Sequence, residues 1–296
     1  REACLKHSAN GAVWMGWAQL EAGEGNVGSY ETENTARWIY REACLKHGAD
    51  SGTWLKWAQL EVGENNVGSY ETESTARWIY REACLKHGAD SNTWLGWAQL
   101  EAGEGNVGSY ETENTARWIY REACLKHSAN GAVWMGWAQL EVGENNVGNC
   151  EIENSSRWIF AEGIKRSPNF AALYSSYSYL EISQRCATKA RTILRQSLQY
   201  SDFVVGELAI LEFCFGNIDS DNIYCTRRLM DRMESQKAES FSAMLHLYYC
   251  ALLLRQKEKS EQYHQLLLQN PNYNPNNKRV EKWIQLCTEA VMAEKA

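Results

Sequence analysis

"WLKWAQLEVGENNVGSYETESTARWIYREACLKH", residues 54–87, decides the fold of this chain. Trp54, Trp57, Ala58 and Glu61 fall at i, i+3, i+4 and i+7, the spacing of one helical face. Asp50-Ser51, just upstream, can cap the start of that helix. Val62-Gly63-Glu64-Asn65-Asn66-Val67-Gly68 then breaks the periodicity. Ser69 and Thr72, with several acids nearby, restart a helix and suit its positive N-terminal end. Ala76, Ile79, Tyr80 and Ala83 share a face of this second helix. Lys86 and His87 close its last turn, where cations are favoured, and Gly88 follows as a C-cap.

The same words recur through the chain. REACLKH starts at residues 1, 41, 81 and 121, a period of forty, and residues 1–21 are identical to 121–141. Neither helix is apolar enough all round to stand alone, so each pair completes its core on the next. The fold class expected is therefore all-α, an α-solenoid of antiparallel helix pairs forming a right-handed superhelix. Four near-identical 40-residue repeats occupy residues 1–160, the first truncated at its start. Divergent repeats occupy 161–269. The turn-rich Asn270–Pro275 and a C-terminal capping helix fill 270–296.

Composition narrows the function classes. Of 296 residues, 44% are hydrophobic and 23% charged, with only 3 prolines, which fits a folded chain. No run of eighteen apolar residues exists, so no membrane insertion is expected. There is no signal or transit segment either, although the chain begins at Arg1 in mid-repeat and reads as a piece of something longer. Residues 1–160 carry 13 Lys and Arg against 22 Asp and Glu, and residues 161–296 carry 17 against 15. The acidic first part repels phosphate, so any RNA contact belongs to the later repeats. Ten cysteines are present without a CxxC, and Cys4, Cys44, Cys84 and Cys124 recur at the repeat period. They read as buried core thiols in a reducing, intracellular compartment.

The residues resemble the half-a-TPR (HAT) repeat family, relatives of the tetratricopeptide repeats. That family's first helix carries two aromatics three apart and then a Glu. Here these are Trp14, Trp17 and Glu21, then Trp54, Trp57 and Glu61, then Trp94, Trp97 and Glu101, then Trp134, Trp137 and Glu141. Its second helix carries Ala-Arg and then an aromatic. Here Ala36-Arg37 precede Tyr40, Ala76-Arg77 precede Tyr80, and Ala116-Arg117 precede Tyr120, with Ser156-Arg157 and Phe160 as a variant. The family repeat is about 34 residues long and places a Pro after the second helix. Here the repeats are 40 long, with Ala-Asn or Ala-Asp instead of that Pro. The fifth copy restores both features, with Pro168, Tyr174, Tyr177, Glu181 and Ala190-Arg191. Glu21 to Ala36 spans 15 positions and Glu181 to Ala190 spans 9, so the extra six residues lie inside the interhelix loop. The resemblance covers residues 1–200 and thins beyond, where Glu212 stands in the place of the family Glu. It implies nuclear or organellar work in an RNA-processing or RNA-maturation assembly.

Each candidate site has a structural reading beside a functional one. The paired tryptophans are core wedges rather than stacking platforms for bases. Trp38, Trp78 and Trp118 lie off the apolar face, either packed against the next repeat or exposed as a ladder that partners could use. Cys44/His47 and its copies offer two ligands per repeat, too few for a metal site. Glu21, Glu61, Glu101 and Glu141, paired in each repeat with Arg37, Arg77, Arg117 and Arg157, link the two helices structurally, since no nucleophile recurs beside them. The loops "GEGNVGSYETE" and "GENNVGSYETE" are solvated connectors or a docking edge repeated every forty residues. No phosphate-binding loop, zinc motif or hydrolase constellation is present. No cofactor, no small-molecule substrate and no enzymatic activity are expected. The expected function is a scaffold for other proteins of a larger assembly. The second reading is a factor that binds single-stranded RNA through Arg185, Lys189, Arg191, Arg195, Arg227, Arg228 and Arg232.

Overall fold

The computed structural model describes residues 11–200, 204–215, 227, 230–231, 234, 241–269 and 278–295. The truncated start of the first repeat, the turn at Asn270–Pro275, Arg228 and Arg232 lie outside the described residues. All fourteen described elements are helices: α1 Gly11–Gly23, α2 Ala36–Lys46, α3 Ser51–Gly63, α4 Ala76–Lys86, α5 Ser91–Gly103, α6 Ala116–Lys126 and α7 Gly131–Gly143. There follow α8 Ser156–Arg166, α9 Ala171–Ser183, α10 Ala187–Ser197, α11 Val205–Phe215, α12 Phe241–Leu253, α13 Lys257–Gln269 and α14 Lys278–Lys295. The chain divides into two compact units, Arg1–Leu140 and Glu141–Ala296.

Local chemistry places each helix end. At α3, the Asp50 carboxylate accepts from Thr53 N at 2.9 Å and from the Thr53 hydroxyl at 2.8 Å, so the cap is Asp50 itself. At α4 the cap is Thr75, which accepts from Trp78 N at 3.3 Å while its own hydroxyl donates to Ser69 O and Thr72 O at 2.7 and 2.9 Å. The sequence expectation of a restart at Ser69 and Thr72 is thus displaced by a few residues. Ser69 and Thr72 instead shape the loop around the cap. Gly88, at φ +61°, turns the chain so that Ala89 N reaches Ala83 O at 3.1 Å.

The first unit is a stack of antiparallel pairs. His87, at the end of α4, stacks on Trp54, at the start of α3, with ring centroids 4.7 Å apart. Trp78, at the other end of α4, meets Trp57 edge-on at 6.3 Å. The two helices of a pair therefore run in opposite directions. α2 packs on α3 and α4 on α5, the first helix of the following pair in each case, and α1 touches α3 as α3 touches α5. Trp54, Trp57, Ala58 and Glu61 are buried, as are Ala76, Ile79, Tyr80 and Ala83, which are the two faces the spacing predicts. This is an α-solenoid arrangement.

In the second unit α9 and α10 form a pair, as do α12 and α13, with α11 between them. The helix over 277–294, expected as an end cap, is α14, and its main packing is against α9, α10 and α11. Trp283 stacks on Tyr179 at 5.7 Å. The Glu294 carboxylate accepts from Thr188 N at 2.9 and 3.1 Å and from the Thr188 hydroxyl at 2.5 Å. The reason lies in α10, whose N-cap residue Cys186 makes no side-chain cap bond. Glu294 supplies the missing anion at that helix start.

The cap at Thr75 depends on Gly68. It sits at φ +61°, and a Cβ there would lie 2.2 Å from Thr75 Cγ2. Gly68→Ala is expected to lower unfolding free energy by about 1–3 kcal/mol, the cost of left-handed strain plus the clash. Gly63→Ala, where a Cβ meets nothing within 4 Å, is expected to leave stability unchanged or slightly raised. Urea unfolding of the two variants checks the contrast.

Candidate functional site

The repeated chemistry of this chain converges on one carboxylate per repeat, half-buried at Glu21 and fully buried at Glu61, Glu101 and Glu141. Glu61 projects from the last turns of α3 and has no exposed surface. Arg37, on the preceding pair's α2, reaches it with Nε at 2.9 Å from Oε1 and Nη2 at 3.0 Å from Oε2. Tyr30, in the loop of that same preceding repeat, donates to Oε1 at 2.5 Å. Asn66, five residues after Glu61, donates to Oε2 at 2.7 Å. Trp57 Nε1 in turn donates to the Tyr30 hydroxyl at 3.2 Å. The carboxylate's acceptor sites are thereby filled from two repeats at once.

The arrangement recurs. Glu101 takes Arg77 at 2.8 and 3.2 Å, Tyr70 at 2.6 Å and Asn106 at 2.7 Å. Trp97 and Trp137 donate to Tyr70 and Tyr110 at 3.0 and 3.4 Å. In the second unit Asn146 donates to Glu141 at 2.8 Å. In the first repeat Trp17 Nε1 donates straight to Glu21 at 2.9 Å, beside Asn26 at 2.7 Å. Those two bonds hold the Glu21 carboxyl below the usual range.

The pairing expected from the sequence is corrected here. Arg37 does not bind Glu21 of its own repeat, nor Arg77 bind Glu61: each Arg reaches forward 24 residues, Arg37 to Glu61, Arg77 to Glu101 and Arg157 to Glu181. The Arg sits at the start of its helix, on the side facing the next pair, so the link joins neighbouring repeats. Arg117 donates to Gly108 O at 3.0 Å, the loop contact that Arg37 and Arg77 also make with Gly28 and Gly68.

The other expected residues divide as follows. Trp14, Trp54, Trp57, Trp94, Trp97, Trp134 and Trp137 are buried, as are Tyr40, Tyr80 and Tyr120, whereas Trp17 is half-buried. Trp38, Trp78 and Trp118 are half-buried and meet Trp17, Trp57 and Trp97 edge-on at 6.4, 6.3 and 6.2 Å. These contacts are with the first helix of their own repeat. Arg191 and Arg195 both bind Glu212, at 2.6 and 3.1 Å. Arg227 is exposed. Sequence reading missed Tyr30, Tyr70 and Tyr110 and the Asn at Glu+5. Their signal was the same forty-residue recurrence as the Glu, broken by Cys150 at the Tyr position of the fourth copy and by Cys186 at the Asn position of the fifth.

Burial and the Glu61 carboxylate push the Tyr30 phenol far above the ordinary tyrosine value, and Tyr70 is raised likewise beside Glu101. The phenol therefore stays protonated as a donor.

Fold and node together define a helical-repeat protein. The chain matches no protein-family model, and no curated protein is significantly similar to it.

Removing Glu61 strands a half-buried guanidinium, a phenol and an amide. Glu61→Ala is expected to cost about 3–5 kcal/mol, the cost of breaking a buried pair, and Tyr30→Phe about 1–2 kcal/mol. A double-mutant cycle between Arg37 and Glu61 should show coupling, and one between Arg77 and Glu61 should show none. Because the folded phenols titrate above the unfolded value of about 10, their contribution is complete below that pH and is lost as pH rises beyond it. Alkaline unfolding should therefore be less steep in Tyr30→Phe than in the parent.

Proposed function

We propose that this chain is a non-catalytic scaffold for protein–protein assembly, working in an RNA-processing or RNA-maturation complex. The resemblance to HAT repeats supports the setting. The observation that carries the scaffold reading is the division of charge between node and loop. Arg37 and Arg77 are spent on the inter-repeat carboxylates of Glu61 and Glu101, while Glu24, Glu31 and Glu33, with Glu64, Glu71, Glu73 and their later copies, stay exposed on the loops, Glu73 with Arg41 beside it at 3.1 Å. What a partner meets along this array is a row of acids recurring every forty residues. A basic protein segment is the complementary partner.

Ion pairing within the chain disfavours direct RNA binding. Two of its candidate contacts, Arg191 and Arg195, are held by Glu212. Among the described residues no helix is long and apolar enough to cross a membrane.

Filter binding of a single-stranded RNA at 50 mM salt and above separates the two readings. The expected result is no retention even at low salt, with basic proteins co-purifying in a salt-sensitive manner. Retention that falls steeply with salt would establish the RNA reading instead.

A further inference from the structure

Two thiols from distant parts of the chain meet where α14 crosses α11. Cys214 lies near the end of α11 and Cys287 in the middle of α14, and the two side chains are in hydrogen-bonding contact. Thr288 Oγ1 lies 3.6 Å from Cys214 Sγ. We propose that Cys214 and Cys287 form a peroxide-oxidisable thiol pair whose disulfide locks α14 onto α11.

The two partners differ in the way such a pair requires. Cys214 is half-exposed and Cys287 is fully buried. A peroxide reaches the first and not the second. The hydrogen bond from Cys287 and the contact with Thr288 bring the Cys214 thiol down to about 7, so much of it is thiolate at neutral pH. Cys287, pushed up by the same hydrogen bond and by burial, keeps its proton. The other cysteines stand apart. Burial raises Cys44, Cys84, Cys124 and Cys250, which makes them poor nucleophiles. Cys150 is exposed, but its sulfur faces Tyr177 Oη at 3.1 Å and Lys189 Nζ at 3.9 Å.

The chemistry balances with one hydroperoxide per pair. The Cys214 thiolate attacks a peroxide oxygen, an S–O bond forms, the O–O bond breaks, and the alkoxide or hydroxide leaves and takes up a proton. This yields sulfenic acid on Cys214. Oxidation of Cys214 removes the thiol hydrogen bond that is the largest cause of the Cys287 shift; the Cys287 sulfur then attacks the Cys214 sulfur as its proton passes to the departing oxygen, the S–S bond forms, and the S–O bond breaks. Hydroxide leaves with the proton released by Cys287, as water. Two thiols are oxidised and the peroxide is reduced to an alcohol, or water, plus water.

The disulfide would add a covalent tie to a helix otherwise held by Trp283 on Tyr179 and by Glu294 on Thr188. Both cysteines lie within the second unit, so the lock acts inside it.

The test uses the full chain, reduced and freed of reductant, treated with hydrogen peroxide and mapped by peptide mass without reduction. A Cys214–Cys287 cross-linked peptide, lighter by two hydrogens and released by dithiothreitol, is expected. Cys287→Ser should instead leave a sulfenic acid on Cys214 that dimedone captures. Iodoacetamide at pH 7 should label Cys214 roughly ten-fold or more faster than Cys44, the ratio of their thiolate fractions. Oxidation should slow tryptic cleavage after Lys282. Absence of the cross-link in the parent chain, or Cys214 labelled no faster than Cys44, would overturn the pair. Unchanged cleavage after Lys282 in the cross-linked chain would overturn the lock. Should Cys287→Ser not fold, mapping of the parent chain decides alone.

Discussion

A carboxylate with no exposed surface is the constraint on which this array depends. Burying a carboxylate is costly unless donors surround it. Its own repeat supplies only Asn66; the charge partner Arg37 and the phenol of Tyr30 come from the preceding pair. Apolar contacts between helix pairs tolerate small slips, because dispersion and burial are not directional. A bidentate guanidinium and a phenol aimed at the same two oxygens do not. The buried tryptophans thus drive the stacking, and the carboxylate fixes its register. Net stabilisation from the ion pair is small, since desolvation offsets most of the attraction. What the pair confers is a penalty on every wrong alignment.

The second unit shows which part of this node is fixed and which is exchangeable. Glu181 keeps its bidentate Arg157, at 2.8 and 2.9 Å. Its other donors are gone: Cys150 stands where Tyr30 and Tyr70 stand, and Cys186 stands at the Glu+5 position of the Asn. Lys189 fills the vacancy, with Nζ 3.0 Å from Glu181 Oε1. At Glu212 the fixed partner is Arg191 and the addition is Arg195. A neutral phenol and amide on the first unit's Glu are exchanged for a second cation in the next unit. Glu61, Glu181 and Glu212 each keep a bidentate Arg and at least one further donor, while the chemistry of that further donor changes. This also accounts for part of the uneven charge of the chain, because cations that looked like a nucleic-acid surface are compensating interior acids.

Much of the fold was legible in the residues of one repeat. Trp54, Trp57, Ala58 and Glu61 announce a helical face by spacing alone, and Ala76, Ile79, Tyr80 and Ala83 announce the other. Stacking followed from the insufficiency of either face by itself. The partner of each Arg was not legible, because Glu21 and Glu61 are equivalent in sequence. Only the direction in which the second helix faces tells them apart. The place of α14 was hidden for a similar reason. Its attachment rests on single residues, Trp283, Cys287 and Glu294, that meet helices distant in sequence and carry no periodic signal.

The six extra loop residues acquire a reason from the node. A phenol that must reach the next repeat's carboxylate has to leave its own pair, cross the gap and be held there. Tyr30 does so from a loop whose path is fixed at several points: Ala36 N on Asn26 O, Arg37 N on Val27 O, and the Thr35 hydroxyl on Ser29 O and Thr32 O. A loop as short as Gln184-Arg185-Cys186 has no residue free to extend that far. The further donor to Glu212 comes instead from the second helix, where Arg195 reaches it at 3.1 Å. At Glu212 the second cation thus takes the place that a loop phenol fills at Glu61. The longer loop leaves an acidic outer edge in contact with water, and the shorter one does not. On this argument the exposed edge of the first four repeats is a by-product of register control, available to whatever binds there.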